Sequence, residues 1–361
     1  MVASSSFAAA DALYHQPHYF LLKQCLAAAL GLMVLLIARR VDYRRWARLD
    51  LWLLMGTLGL AALTLVPALA PDRQWLKFGP LALQPTEFVK FALVIYLAAY
   101  LVRKADQITD FMQGLLPPLI ILGLAAGLAL LQSDFGMLLL LSAIVLFMLF
   151  LGGARLIHLG TLMLATLPLV LYLAISAPYR LGRLMAFLDP FKYSTSEGYQ
   201  LIQSLVAIGS GGILGRGLGE SKEKLLYLPQ SYNDFIFAII GEELGLWGGL
   251  LVISLFVYLA YHGLQLARRA PDRFGMYLAA GLTFALVLQA TVNIGVAMGI
   301  MPVTGLTLPF ISYGGSSLIL SMGMAGVLLN IAKQSEGRRA RALESPKNSR
   351  SWARRCAATG S

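Results

Sequence analysis

Charged side chains are scarce in this sequence: 13% of its residues, while 58% are hydrophobic and the mean hydropathy is +0.71. A soluble domain carries about 25% charge and roughly 45–50% apolar residues. That shortage excludes a soluble globular chain. Cysteine is nearly absent too: Cys25 lies in an apolar run and Cys356 in a basic tail. So distant a pair gives no disulfide framework and no metal-ligand cluster. The four histidines, His15, His18, His158 and His262, are equally scattered, which leaves a zinc or haem site without support. The net charge of +11 does not imply nucleic acid, because lysine and arginine collect in the cytoplasmic loops of membrane proteins.

What the sequence does have is long apolar runs. A spanning helix needs about 20 mostly apolar residues. Candidates lie at 20–38, 51–69, 86–102, 115–131, 135–151, 158–176, 235–261, 276–298 and 316–332. The expected fold is therefore all-α: a polytopic helical membrane protein with nine transmembrane helices, in one domain over residues 1–332. Connections at 38–48, 102–107, 152–158 and 265–273 are basic, and those at 70–85, 132–134 and 299–315 are not. By the positive-inside rule the basic set is cytoplasmic. The tail, 333–361, holds eight Lys/Arg against two Glu and reads as disordered and cytoplasmic. Residues 177–234 then form a large outer loop. Residues 1–18 also fall outside, which is unusual for a chain with no preceding helix.

Within the large loop, "EGYQLIQSLVAIG" (197–209) is amphipathic. Gln200, Gln203, Ser204 and Ala207 form one stripe, and Leu201, Ile202, Leu205, Val206 and Ile208 the other. The pattern predicts a helix lying in the membrane interface. "GSGGILGRGLGES" (209–221) holds six glycines but fits neither the dinucleotide fingerprint nor the P-loop spacing. It reads either as a flexible turn-rich segment or as a place of close backbone approach to a substrate or partner, or a hinge.

Acidic residues at the start of an apolar run carry the sharpest question. In "YLPQSYNDFIFAIIGEELG" (227–245), Asp234 opens the run, and Glu242 and Glu243 sit inside it. Carboxylates near lipid are costly, so they are structural partners or a working site. Asp234 alone could be a helix N-cap. The 27-residue run spans about 40 Å against a core of about 30 Å, which puts Asp234 at the outer headgroup level. In "QPTEFVK" (84–90), Pro85 suits a first helical turn. Glu87 and Lys90 share a face and can pair, as a structural ion pair or as the wall of a substrate cavity. Arg180 and Arg183 in "APYRLGRLMAFLDPF" suit either lipid headgroup phosphates or a substrate pyrophosphate. "PVTGLTLPFISYGGSS" (302–317) is a re-entrant turn or a cavity lining. The residues alone thus point to an outward-facing polar site of Asp234, Arg180, Arg183, Glu87 and Lys90, in a lipid-substrate enzyme or in a transporter.

These motifs, in this order from about residue 19 to 332, resemble the SEDS family (shape, elongation, division and sporulation). They include "LQPTEFVKFALVIYLAAYL", "GYQLIQSLVAIGSGGILGRGLGESKEKLLYLP" and "DFIFAIIGEELG". "GRGLGESKEKLLYLP" looks like the division (FtsW-like) branch or its sporulation relatives more than the rod-elongation branch. The resemblance implies a peptidoglycan glycosyltransferase that polymerises lipid II at the outer face of the cytoplasmic membrane, working with a class B penicillin-binding protein and other divisome proteins. It implies Asp234 as the catalytic residue. One base suffices, because a pyrophosphate leaving group needs no protein acid. Candidate substrate contacts are Arg180, Arg183, Glu87, Lys90, Gln203, Ser204, Lys222, Ser312 and Tyr313, with Glu242 and Glu243 in supporting roles. Positive charge at the leaving group could come from the arginines, Lys90 or a divalent cation, Mg or Mn. A lipid II flippase and a non-catalytic scaffold are the alternatives.

The sequence departs from the family's pattern in places. Gln230, Tyr232 and Asn233 replace common Glu, His and Thr, and Thr86 replaces Ser. The first 24 residues resemble the end of the family's first helix and the loop after it. A downstream start site is the expected reason, with a true nine-helix protein as the alternative.

Overall fold

The computed structural model describes residues 19–78, 81–194, 197–221 and 233–358. Each predicted run lies in a helix. These are α1 (Tyr19–Arg40), α2 (Trp46–Leu63), α3 (Pro85–Arg103), α4 (Leu116–Leu131), α5 (Phe135–Leu151), α6 (Leu156–Ser176), α7 (Pro178–Leu188), α8 (Glu197–Gly211), α9 (Ile236–Arg269), α10 (Arg273–Ala297) and α11 (Gly315–Ala358). Eight of the helical stretches are long and apolar enough to cross a membrane, and the 17-residue α5 is only slightly shorter. Among the described residues the sole sheet is a hairpin, β1 (Leu76–Phe78) antiparallel to β2 (Leu81–Leu83), with Leu76 opposite Leu83.

Burial separates core helices from lipid-facing ones. The apolar span of α3 is 83% buried and that of α10 is 67% buried, against 6% for α6. The rows Leu93, Leu97, Leu101 of α3 and Leu278, Leu282, Leu286 of α10 meet Leu141, Ile144 and Met148 of α5. Around them, exposed Leu, Met, Trp and Phe side chains, such as Trp52, Leu164 and Leu251, form an apolar outer surface. Lipid gives no hydrophobic drive between helices, so close approach of small residues has to hold them. A Cβ at Gly326 of α11 would lie 2.5 Å from the Leu35 carbonyl oxygen of α1. One at Gly263 of α9 would lie 2.2 Å from Thr283 Oγ1 of α10.

Two elements differ from expectation. The run 235–261 is not one straight span. The 34-residue α9 breaks at Gly245, whose φ is 65° and ψ −158°. Glu242 and Glu243 therefore lie on a short outer limb, not on a continuous transmembrane helix. The basic tail, read as disordered, continues α11 to Ala358. Its Ala, Arg and Glu content favours helix.

The glycine-rich segment packs against the break in α9. Arg216 and Gly217 donate backbone N–H bonds to the carbonyls of Glu242 and Glu243 at 3.0 and 3.1 Å, and Leu246 donates to Gly212 at 3.0 Å. A Cβ at Gly211 would lie 2.0 Å from the Gly241 carbonyl oxygen. At Gly215, where φ is +80°, it would lie 2.2 Å from that of Glu243. Of the two readings of this segment, the structure gives close backbone approach, within the chain itself.

The amphipathic helix is also corrected. The packed side of α8 is Leu201, Ser204 and Ala207, while Leu205 and Val206 are exposed. Small residues let α8 sit against α9 and α10, and that packing outweighs the polar–apolar division read from the sequence.

Candidate functional site

Asp234 stands in the turn before α9, and its backbone is held from two sides. Asn293 of α10 donates one Nδ2 proton to the Asp234 carbonyl (2.8 Å) and the other to that of Leu306 (2.7 Å). Ser312 donates its hydroxyl to the Asn233 carbonyl (2.6 Å) and accepts from the Leu308 N–H (2.8 Å). Gly305, with φ +77°, lets the 302–314 loop turn beside the carboxylate; a Cβ there would be 3.8 Å from Asp234 Oδ2. Asp234 does not cap α9, since no side chain caps that end. Its Oδ1 is buried and has no hydrogen-bond partner among the described residues. An unsatisfied buried oxygen asks for an explanation, and a ligand site is one.

A second carboxylate faces the same space. Asp134 caps α5 by accepting from the Met137 N–H at 2.9 Å. Burial raises Asp234 from the usual 3.8 to about 6; Arg183 pulls it down and Asp134 pushes it up. Asp134 is likewise raised to about 6 by burial, lowered by the Met137 N–H, raised by Glu87 and lowered by Arg183. The guanidinium of Arg183 is thus the cation that both carboxylates feel.

Arg180 and Arg183 of α7 line a small open cleft of about 70 Å³ with Phe135, Gly136, Val303 and Thr304. Tyr179 anchors α7 by donating to the Ser133 carbonyl at 2.9 Å. Behind the cleft a polar chain crosses the core. Lys90 pairs with Glu87 Oε2 at 2.5 Å and also meets Gln289 Oε1. Gln289 donates to the Thr307 carbonyl (3.0 Å) and hydroxyl (3.2 Å), and Thr307 donates to Ser317 Oγ at 2.9 Å.

The sequence candidates therefore separate. Arg180 and Arg183 share the cleft; Asp234 is not among its lining residues and is linked to it by the electrostatic influence of Arg183. Glu87 and Lys90 form a buried pair, 2% and 0% exposed, that braces the loop through Gln289. Ser204 is corrected: it is buried, and its hydroxyl is donated to the Ala297 carbonyl at 2.7 Å, so it fixes α8 to α10 and cannot reach a ligand. Ser312 is likewise a clamp on the backbone before Asp234, and Tyr313 meets Phe20 edge-on with ring centres 5.0 Å apart. Gln203 lies on α8, half-buried. Glu242 bonds the Ser221 hydroxyl and pairs with Arg216 at 3.5 Å, which holds the glycine-rich segment to α9; Glu243 is buried beside it. Lys222, Gln230 and Tyr232 lie outside the described residues. Sequence reasoning missed Asp134, Gln289, Asn293 and Thr304. Gln289 and Asn293 had a signal, being polar and four apart in an apolar helix.

Comparison with known proteins identifies the family. The family model FTSW_RODA_SPOVE, described as "Cell cycle protein", matches residues 1–337. The chain is 42% identical to the probable peptidoglycan glycosyltransferase FtsW of Legionella pneumophila, over 92% of this chain and 86% of that one. It is 39% identical to stage V sporulation protein E of Bacillus subtilis, over 93% of each. Among solved structures it resembles a chain of a peptidoglycan synthase complex that coordinates polymerization and crosslinking (TM-score 0.73, 29% identity, 92% of this chain and 95% of that one). It also resembles the rod shape determining protein RodA of Thermus thermophilus (TM-score 0.63, 29% identity, 91% and 92%).

Proposed function

We infer that this chain, which belongs to the FtsW/RodA/SpoVE family of cell cycle proteins, is a peptidoglycan glycosyltransferase of the membrane. The finer reading is that it polymerises lipid II into glycan strands at the outer face of the cytoplasmic membrane during division. A class B penicillin-binding protein then cross-links them. The synthase complex among its structural relatives joins polymerization to crosslinking, which supports such a partner. The basic connections at the opposite end of the bundle support an outward-facing site.

The observation that carries the mechanism is the unpartnered, buried Oδ1 of Asp234. That oxygen accepts the proton of the acceptor sugar hydroxyl. As the new C–O glycosidic bond forms, the bond from the donor's anomeric carbon to its phosphate oxygen breaks, and the electron pair leaves on the lipid diphosphate. A carboxylate held near 6 is ionised at neutral pH yet more basic than an exposed aspartate, as a general base needs to be. Positive charge on α7 offsets the negative charge that develops on the diphosphate. Among the described residues no three carboxylate, histidine or cysteine side chains converge; a magnesium or manganese ion here would be held by one or two carboxylates together with the diphosphate oxygens and would offset the same charge.

The test is strand formation from lipid II by the purified protein with its penicillin-binding protein, the partner's own catalytic serine blocked. Wild type should make long strands and Asp234→Asn none, with the complex intact. Equal polymerisation by both would remove Asp234 from the chemistry.

A further inference from the structure

Two arginines one turn apart on α7 have different surroundings. Both lie over the Tyr179 ring, with guanidinium carbons 5.8 Å (Arg180) and 5.6 Å (Arg183) from its centroid. Arg183 Nη1 donates to the Val303 carbonyl oxygen at 3.5 Å, whereas Arg180 lies over a second ring, 5.7 Å from the Phe135 centroid. Its Nε and Nη1 are buried and make no hydrogen bond among the described residues, and neither does the buried Thr304 Oγ1 on the facing wall of the same cleft. Thr304 reaches that wall because residue 136 is glycine. A Cβ there would lie 2.5 Å from the Thr304 carbonyl oxygen.

Three unsatisfied polar atoms around one cleft are unusual in a native structure. A guanidinium flanked by aromatic rings is held in plane with its N–H edge free, the geometry that binds phosphate oxygens in pairs. Arg183 already donates to the Val303 carbonyl oxygen, so an incoming anion gains less there. The remaining wall of the cleft is apolar, with Leu139, Ala174 and Leu184, which suits a hydrocarbon chain joined to the anion.

We propose that the phosphate end of a lipid-linked diphosphate binds on Arg180 and Thr304 in preference to Arg183, whose guanidinium already donates to the Val303 carbonyl. The assignment rests on the glycosyltransferase reading of this cleft. Arg180 is a binding residue, and Gly136 keeps Thr304 close.

The experiment uses the full chain in nanodiscs, in the Asp234→Asn background, so that binding is read without turnover. Farnesyl diphosphate is the probe, with phosphatidylglycerol and inorganic pyrophosphate as competitors. Arg180→Gln and Thr304→Val should each weaken farnesyl diphosphate binding by about tenfold or more, and Arg180→Lys by less. Arg183→Gln should weaken binding less than Arg180→Gln. In the otherwise wild-type protein, Arg183→Gln should move the acid limb of the pH–rate profile above 6, and Arg180→Gln should raise KM without moving that limb. Melting temperatures identify any variant that fails to fold, and Arg180→Lys then decides the matter. Farnesyl diphosphate binding unchanged in a folded Arg180→Gln protein would overturn the assignment. Equal competition by phosphatidylglycerol would also overturn it, in favour of a general headgroup site. Polymerisation by Asp234→Asn would refute the base while leaving this binding test standing.

Discussion

Replacing Asp134 by Asn tests whether two carboxylates share one electrostatic site. Asparagine caps helices as well as aspartate does, and its Oδ1 can still accept from the Met137 N–H, so the start of α5 survives. What disappears is one negative charge facing Asp234. Holding Asp234 at about 6 instead of 3.8 makes its ionised form about 3 kcal/mol less favourable than in water. Burial supplies the largest part, Arg183 opposes it, and Asp134 adds to it. A unit charge across a protein interior contributes on the order of 1 kcal/mol, or about 0.7 of a pH unit. Removing Asp134 should therefore shift the acid limb of the pH–rate profile downward by roughly half to one unit. The profile should also steepen, because a coupled pair titrates in two steps and a single carboxyl in one. The plateau rate should fall a few-fold, since a base with lower affinity for protons is a weaker base. The assay is initial rate of lipid II polymerisation from pH 4.5 to 8, with substrate saturating at each pH. An acid limb that stays in place, or moves to higher pH, would refute the shared site.

Two further predictions concern the packing that supports the site. Ser204→Ala should lower stability by about 1–3 kcal/mol, because the buried Ala297 carbonyl loses its donor, while KM for lipid II stays unchanged; a large KM effect in a stable protein would return Ser204 to the substrate. Gly215→Ala puts a side chain at φ +80°, with its Cβ 2.2 Å from the Glu243 carbonyl oxygen. It should cost more than about 2 kcal/mol and open the 209–221 segment to protease. A variant that melts and resists protease like wild type would show that the segment does not depend on this contact.

The parts of this fold that are legible in the sequence are those set by single-helix physics. Run length and hydropathy locate every span, and a charge at the mouth of a span marks Asp234. Depth and facing are less legible, because they depend on which helix meets which. Glu87 and Lys90 at i, i+3 read equally as an ion pair or as a cavity wall until α10 brings Gln289 against Lys90. The stripe on α8 is divided by polarity in the sequence, yet the helix packs by side-chain size. Asp134 looks like an ordinary cap until α7 carries Arg183 to it. The break in α9 has only Gly245 as its local signal, and glycine is common in membrane helices. What makes it a break is the backbone of 211–217, which takes the carbonyls of Glu242 and Glu243.

The buried polar side chains of α10 connect these observations. Gln289 and Asn293 are four apart, so they lie on one face of the helix. Between them they hold the carbonyls of Thr307, Leu306 and Asp234. The loop that follows α10 is thereby tied back along its own helix, and the turn carrying Asp234 is tied to Asn293 as well. On the far side of Gln289, the amide oxygen meets Lys90, so the α3 ion pair belongs to the same network. A half-satisfied network of this kind would be worse than an apolar core, but when satisfied it rigidifies. Here its amide donors are in use, while among the described residues Asn293 Oδ1 within the network, and Asp234 Oδ1 and Thr304 Oγ1 outside it, are buried without partners. The donors fix the backbone that carries Asp234. That arrangement suits a catalyst that must hold one carboxylate still while a charged, lipid-linked sugar comes to it.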